Sequence, residues 1–149
     1  MRQFERRHGT RMLRWCGVLA AMGVLLHIAS CATCSCRPLV PGEAFQGASA
    51  IFAGSVVRIY EPGWWKTIRT GSDPLEITFE VERVWKGDVP SKVTVETRVS
   101  EASCGYDFDK RERYLVYAHD GQVSLCSGTR PIAGAAENLH LLGEGHPPR

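Results

Sequence analysis

The chain has 149 residues, 44% of them hydrophobic and 23% charged, with 18 basic and 16 acidic side chains. Residues 1–30 hold five arginines and one acid, so the remaining 119 residues carry 13 bases and 15 acids, a net charge near −2. Nothing in that balance suggests a nucleic-acid footprint, which would need a clustered basic face, and the length fits one domain rather than two.

The first segment pairs Arg2, Arg6, Arg7, Arg11 and Arg14 with a 13-residue apolar or weakly polar run from Cys16 to Ile28. A basic stretch, a short apolar stretch and then small residues form the pattern of a secretory signal. The run is short of the roughly 20 residues a permanent membrane-spanning helix requires. The segment ends in Ile28-Ala29-Ser30-Cys31, which resembles the lipobox of bacterial lipoproteins. That resemblance implies lipidation of Cys31, a signal peptide over 1–30, a mature domain over 31–149, and attachment to a membrane through the lipid. Cleavage at a nearby ordinary signal site is the alternative, with Cys31 left as a thiol.

Export to an oxidising compartment favours disulfides. Cys34, Cys36, Cys104 and Cys126 then remain, and four cysteines allow three connectivities. Bridging Cys34 to Cys36 strains the short loop, whereas long-range bridges closing about 70 to 90 residues each stabilise by about 4–5 kcal/mol as an upper figure.

Beyond the cysteines, Pro38 and Pro41 keep residues 31–40 extended, and residues 41–48 suit one or two helical turns. The β-branched and aromatic run Ala50 to Tyr60 predicts a long strand, with Gly54 marking a bulge or bend. A loop from Glu61 to Pro74 carries Trp64 and Trp65 side by side. Leu75 to Trp85 alternates as a half-buried strand whose phase slips at Val84-Trp85 before a Lys86-Gly87-Asp88 turn. Lys92 to Val99 and Tyr114 to Ala118 read as two more strands. Asp120-Gly121 is a hairpin signal, and Gln122 to Ser127 reads as the returning fifth strand. Ala135 to Leu142 predicts a short helix ended by Gly143, followed by a frayed tail. The pattern predicts an all-β fold, a five-stranded OB-fold-like barrel with short flanking helices, with a β-sandwich as the alternative.

Four stretches in order, Cys34-Ser35-Cys36-Arg37-Pro38, Ala44-Phe45, Trp85-Lys86-Gly87 and Glu101-Ala102-Ser103-Cys104-Gly105-Tyr106, resemble the N-terminal domain of tissue inhibitors of metalloproteinases (TIMPs) and the wider netrin-like group. The resemblance covers roughly residues 34 to 130. It implies an OB barrel with bridges Cys34–Cys104 and Cys36–Cys126. It also implies a protease-binding edge made of Cys34, Ser35, Cys36, Arg37 and Pro38 with Glu101, Ala102 and Ser103 beside it. In that family the free amine and carbonyl of the first cysteine chelate the protease zinc, and the second residue, Ser35 here, enters the adjacent specificity pocket. An amine lone pair can fill the position a catalytic zinc leaves open, and a prefixed wedge loses little entropy on binding. Chelation requires Cys34 to be the mature first residue. If processing stops at Cys31, the nitrogen of Cys34 is an amide and a very poor ligand. The resemblance is to the first domain alone, so contacts made by the cysteine-rich second domain of the animal proteins are not expected here.

The implied partner is a zinc metalloprotease or another extracytoplasmic protein. The competing reading is a lipid-anchored binding or structural module without inhibitory activity. The spacing Cys31-x-x-Cys34 follows a signal and precedes prolines, which is not the setting of an oxidoreductase motif. His119, His140 and His146 show no ligand spacing, and His119 is expected to be solvent-exposed. Glu80 and Glu82 fit an outer strand face, so neither an enzyme, a cofactor nor an intrinsic metal is expected. Trp64 and Trp65 are candidates for partner contact or for packing over the barrel mouth.

Overall fold

The computed structural model describes residues 34–149 apart from 38, 64–69 and 71. These belong to one compact unit, Thr33–Arg149. The segments 1–30 and Cys31, expected to be a signal and a lipidation site, lie outside the described residues.

The proline-led stretch Pro41–Gly47 forms helix α1, and the β-rich runs form β1 (Ala50–Tyr60), β2 (Pro74–Lys86), β3 (Lys92–Arg98) and β4 (Arg113–Ala118). A two-residue β5 (Arg130–Pro131) and a helix α2 (Ala136–Leu142) follow. All strand pairs within the sheet are antiparallel, in the order β3-β2-β1-β4-β5. The fold is therefore mostly β, with two short α-helices among the described residues. No described helix is long and apolar enough to cross a membrane.

Strand alternation sends side chains to two faces, one bearing the larger core and the other covered in part. Phe52, Ile77, Phe79, Val84, Val95, Tyr114 and Val116 pack in the larger core. Ile51, Leu115 and Tyr117, one residue out of phase, pack with Ala44 and Ala48 at α1 and with Leu139 and Leu142 of α2. This explains why β4 reads as an unbroken apolar run, since five of its six residues are buried. The larger core is aromatic at its heart. Phe79 meets Phe52, Phe108 and Tyr114 edge-on, with centroids 5.5, 5.4 and 6.5 Å apart.

Gly54 is a constrained position in β1. A β-carbon there would sit 2.6 Å from the Glu80 carbonyl oxygen, and the β1–β2 register shifts between Ala53 and Gly54. The register also shifts between Ile51, paired to Lys86, and Phe52, paired to Val84. The slip expected near Trp85 is thus a bulge there. Lys86 then closes the carboxyl end of α1, its Nζ donating to the carbonyls of Phe45 (2.7 Å) and Gln46 (3.2 Å). A cation at the negative end of a helix is favourable.

Three expectations are corrected. The sheet does not close into a barrel, and residues 122–127 are not a strand. The chain after the Asp120-Gly121 turn instead makes isolated bridges, Glu96 with Gln122 in parallel and His119 with Gln122. It then enters a turn closed by the Ser127 amide on the Ser124 carbonyl (3.0 Å). Cys126 is tied to Cys36 in this stretch and Gly128 takes φ 90°, so covalent and turn geometry win over strand propensity. The pairing strand is Arg130–Pro131, whose proline lacks the amide needed to extend a ladder.

The tail is also docked rather than frayed. His146 and Val84 exchange backbone hydrogen bonds of 2.8 and 2.9 Å, and the Arg149 and Ser91 amides donate to the Val89 and Arg149 carbonyls, both at 3.1 Å. Trp85 Nε1 donates to the Gly143 carbonyl at 2.9 Å. The β2–β3 pairing ends at Glu80 and Lys92, and beyond that point the tail satisfies backbone groups of β2 and the following turn.

Gly54→Ala is expected to destabilise the fold by about 1–3 kcal/mol, because the new methyl meets backbone rather than a movable side chain. Urea unfolding measures this, and an unchanged midpoint would remove the close-approach argument.

Candidate functional site: the bridged edge

The edge begins with four residues that lack regular structure. Ser35, Cys36 and Arg37 are exposed and Cys34 is half-buried. Such a stretch has no hydrogen-bond ladder, so covalent links hold it. Cys34 is bonded to Cys104 and Cys36 to Cys126, with Cα–Cα separations of 5.1 Å in both. This is the pairing implied by the TIMP resemblance. The bridges touch, with the Sγ atoms of Cys34 and Cys126 3.8 Å apart. The sulfurs of Cys34, Cys104 and Cys126 lie within 4.8 Å of one another, but all three are spent in bridges and offer no thiolate to a metal.

Cys104 is held on its own side by a tight turn. Glu101–Ser103 form a single 3₁₀ turn whose start is capped by the Ser100 hydroxyl, accepting from the Ala102 amide at 3.2 Å. Cys104 adopts the left-handed φ of 64° that ends the turn. Gly105 then passes so close to β3 that a β-carbon would lie 2.1 Å from the Arg98 carbonyl oxygen. The Tyr106 amide donates to the buried Thr97 hydroxyl at 2.8 Å, and the Leu125 amide to the Cys104 carbonyl at 2.9 Å. Glu101 and Ala102 are exposed and Ser103 is half-buried, with its hydroxyl 3.5 Å from that of Ser72.

The structure thus brings Cys34, Ser35, Cys36 and Arg37 to the loop bearing Glu101, Ala102 and Ser103. Arg37 forms an exposed ion pair with Glu43 at 3.3 Å, a contact worth little in water. Pro38, Trp64 and Trp65, also expected at contact surfaces, lie outside the described residues. Glu80 and Glu82 are exposed, as the strand pattern requires. Glu82 is engaged by Arg113 and by the Ser55 hydroxyl. His119 is exposed but not idle, because its Nδ1 lies 2.6 Å from the Gly47 carbonyl oxygen and links the hairpin to the end of α1.

Sequence reasoning missed the apolar surroundings. Leu39, Val40, Val99 and Leu125 are 37, 63, 41 and 36% exposed, and all lie within five residues of a bridged cysteine. Their types are visible in the sequence, but their exposure follows only from the fold. Exposed aliphatics beside a rigid edge suit a protein contact. Behind the bridges lies an open groove of about 590 Å³ walled partly by Cys104 and Cys126. Its rim mixes Glu43 and Glu96 with Arg98 and His119, so it presents no single-sign field to steer a charged ligand.

Tyr106, next to the loop, has its phenol pushed from the usual 10.0 to about 12, first by burial and then by neighbouring Tyr114. Burial likewise raises Tyr114, whose hydroxyl oxygen accepts from the Asp109 amide at 2.9 Å.

No family model matches the chain, and no curated protein matches it.

Two outcomes are expected. Gly105→Ala should cost about 1–3 kcal/mol in urea unfolding, with altered peptide-level hydrogen exchange over residues 98–106. The neutral phenol of Tyr106 is favoured in the fold, so its stabilisation is complete below pH 10 and is lost as pH rises through about 12. Melting temperature should fall over that window, and Tyr106→Phe should flatten the fall. An unchanged slope would show that Tyr106 titrates as it does in the unfolded chain.

Proposed function

We propose that this chain is an exported, non-catalytic binding domain of the TIMP-like type, acting as an inhibitor of zinc metalloendopeptidases through its bridged edge. One observation carries the reading. One disulfide ties Cys34 to the end of the loop carrying Glu101–Ser103, and a second, touching it, ties Cys36 to the turn at Cys126, which holds Ser35 and Arg37 exposed beside them among exposed aliphatics. A ridge fixed before binding loses little freedom on entering a cleft. Its leading nitrogen, if a free amine on Cys34, can take the open position of a catalytic zinc. Ser35 then enters the adjoining pocket, and Glu101, Ala102 and Ser103 pack beside it. The OB-type architecture belongs to this reading. It is supported by the parallel bridge between Glu96 and Gln122, which brings the chain after β4 against β3. Long-range disulfides suit the oxidising surroundings such an export requires.

A second reading is favoured by Ile28-Ala29-Ser30-Cys31. Lipidation of Cys31 leaves three residues ahead of Cys34, turns its nitrogen into an amide and excludes chelation. The domain is then a membrane-anchored module that uses the same edge to hold another extracytoplasmic protein.

Mass spectrometry of the mature first peptide decides which form exists. Protein verified to start at Cys34 is expected to abolish the activity of a matrix-type metalloprotease near equimolar ratio. The same chain extended by residues 31–33 is expected to inhibit about 100-fold more weakly, a difference of about 2.8 kcal/mol. Absence of inhibition by the verified Cys34 form ends the inhibitor reading.

A further inference from the structure

We propose that the two disulfides form a redox relay: reduction of the outer Cys36–Cys126 bridge passes the opening to Cys34–Cys104 by internal exchange, leaving a Cys34–Cys126 link and a free Cys104. The inference does not depend on the inhibitor reading. It rests on the graded exposure of the four cysteines and on the closeness of their sulfurs.

Cys36 is the exposed member of the four, whereas Cys34, Cys104 and Cys126 are half-buried. A dithiol reductant, small or carried by an oxidoreductase, reaches Cys36 first, and access governs the rate of thiol–disulfide exchange. One of its thiolates attacks Cys36 Sγ, breaking the bond to Cys126, which leaves as a thiolate. Its second thiol displaces Cys36 from the mixed disulfide, so the reductant ends oxidised and two electrons have entered the protein. The Cys126 thiolate now lies beside the remaining bridge, since its sulfur starts 3.8 Å from that of Cys34 and within 4.8 Å of that of Cys104. Freed from Cys36, the Cys126 side chain turns about its Cα–Cβ bond into line with the Cys34–Cys104 bond. It attacks Cys34 Sγ, forming Cys34–Cys126 and expelling the Cys104 thiolate. This second step consumes no further electrons.

The exchange separates two things the oxidised form holds together. Cys34 remains tethered to the body, but the loop Glu101–Ser103 loses its covalent link to the edge. The Leu125 amide, bonded to the Cys104 carbonyl at 2.9 Å, keeps the 125–126 segment at hand for the reverse reaction on reoxidation.

Graded reduction tests this directly. Oxidised mature protein, freed of the leader that carries Cys16, is treated with increasing dithiothreitol, quenched in acid, alkylated and mapped as non-reduced peptides, with thiols counted among Cys34, Cys36, Cys104 and Cys126. The expected two-thiol species is alkylated at Cys36 and Cys104 and contains a Cys34–Cys126 peptide. A two-thiol species alkylated at Cys36 and Cys126, or at Cys34 and Cys104, overturns the relay. So does loss of both bridges with no two-thiol species. A second arm uses Cys36→Ser, which deprives Cys126 of its partner and leaves one thiol to be shared with the remaining bridge. Both Cys34–Cys104 and Cys34–Cys126 isomers are expected, their interconversion faster at higher pH because the thiolate is the attacking form. Finding Cys34–Cys104 alone in that variant at all pH values overturns the proposal.

Discussion

The edge of this domain depends on two disulfides in contact with each other. Residues 34–37 make no strand or helix, and the ion pair of Arg37 is exposed, so without the bridges the stretch has little to order it. The bridges span 70 and 90 residues, and each alone stabilises by about 4–5 kcal/mol as an upper figure. They do not add. Once Cys34 is joined to Cys104, the second bridge closes a circuit of only about 24 residues, which lowers its share to about 3–4 kcal/mol. Their joint effect is positional as much as energetic, since two anchor points two residues apart fix both where the edge sits and which way it faces.

The body that receives those anchors is a sheet with its larger core on one face and a smaller core over part of the other. Phe52, Phe79 and Tyr114 belong to the larger core, Ile51, Leu115 and Tyr117 to the smaller one beneath the helices. The bends at Gly54 and near Trp85 let a long β1–β2 ribbon serve both cores. Where β3 stops pairing, beyond Glu80, the chain around His146 takes its place against Val84. Gly105 transmits this rigidity to the edge, because its contact with the Arg98 carbonyl seats the Cys104 turn directly on β3.

The departures from expectation share a cause. Gln122 to Ser127 has strand-like composition, but Cys126 is claimed by Cys36 and Leu125 by the Cys104 carbonyl, so the ladder is abandoned after single bridges. His119 carries no spacing signal, yet the turn beside it delivers its ring to the end of α1. Residues 143–149, rich in glycine and proline, look unfit for order but find partners in β2. In each case a long-range contact decides what local propensity cannot.

Local chemistry was enough to determine β1 through β4, both helices, the Asp120-Gly121 turn and the bend at Gly54, because those depend on side-chain period, β-branching, proline and glycine within a few residues. It also marked Cys34, Cys36, Cys104 and Cys126 as half-cystines, while leaving their partners open among three pairings until the family resemblance was added. Tertiary structure alone decided that the sulfurs of Cys34 and Cys126 touch, that Leu39, Val40, Val99 and Leu125 stay exposed beside the bridges, and that the sheet remains open. Exposure and proximity are sums over residues far apart in the chain, and no short stretch of sequence contains them.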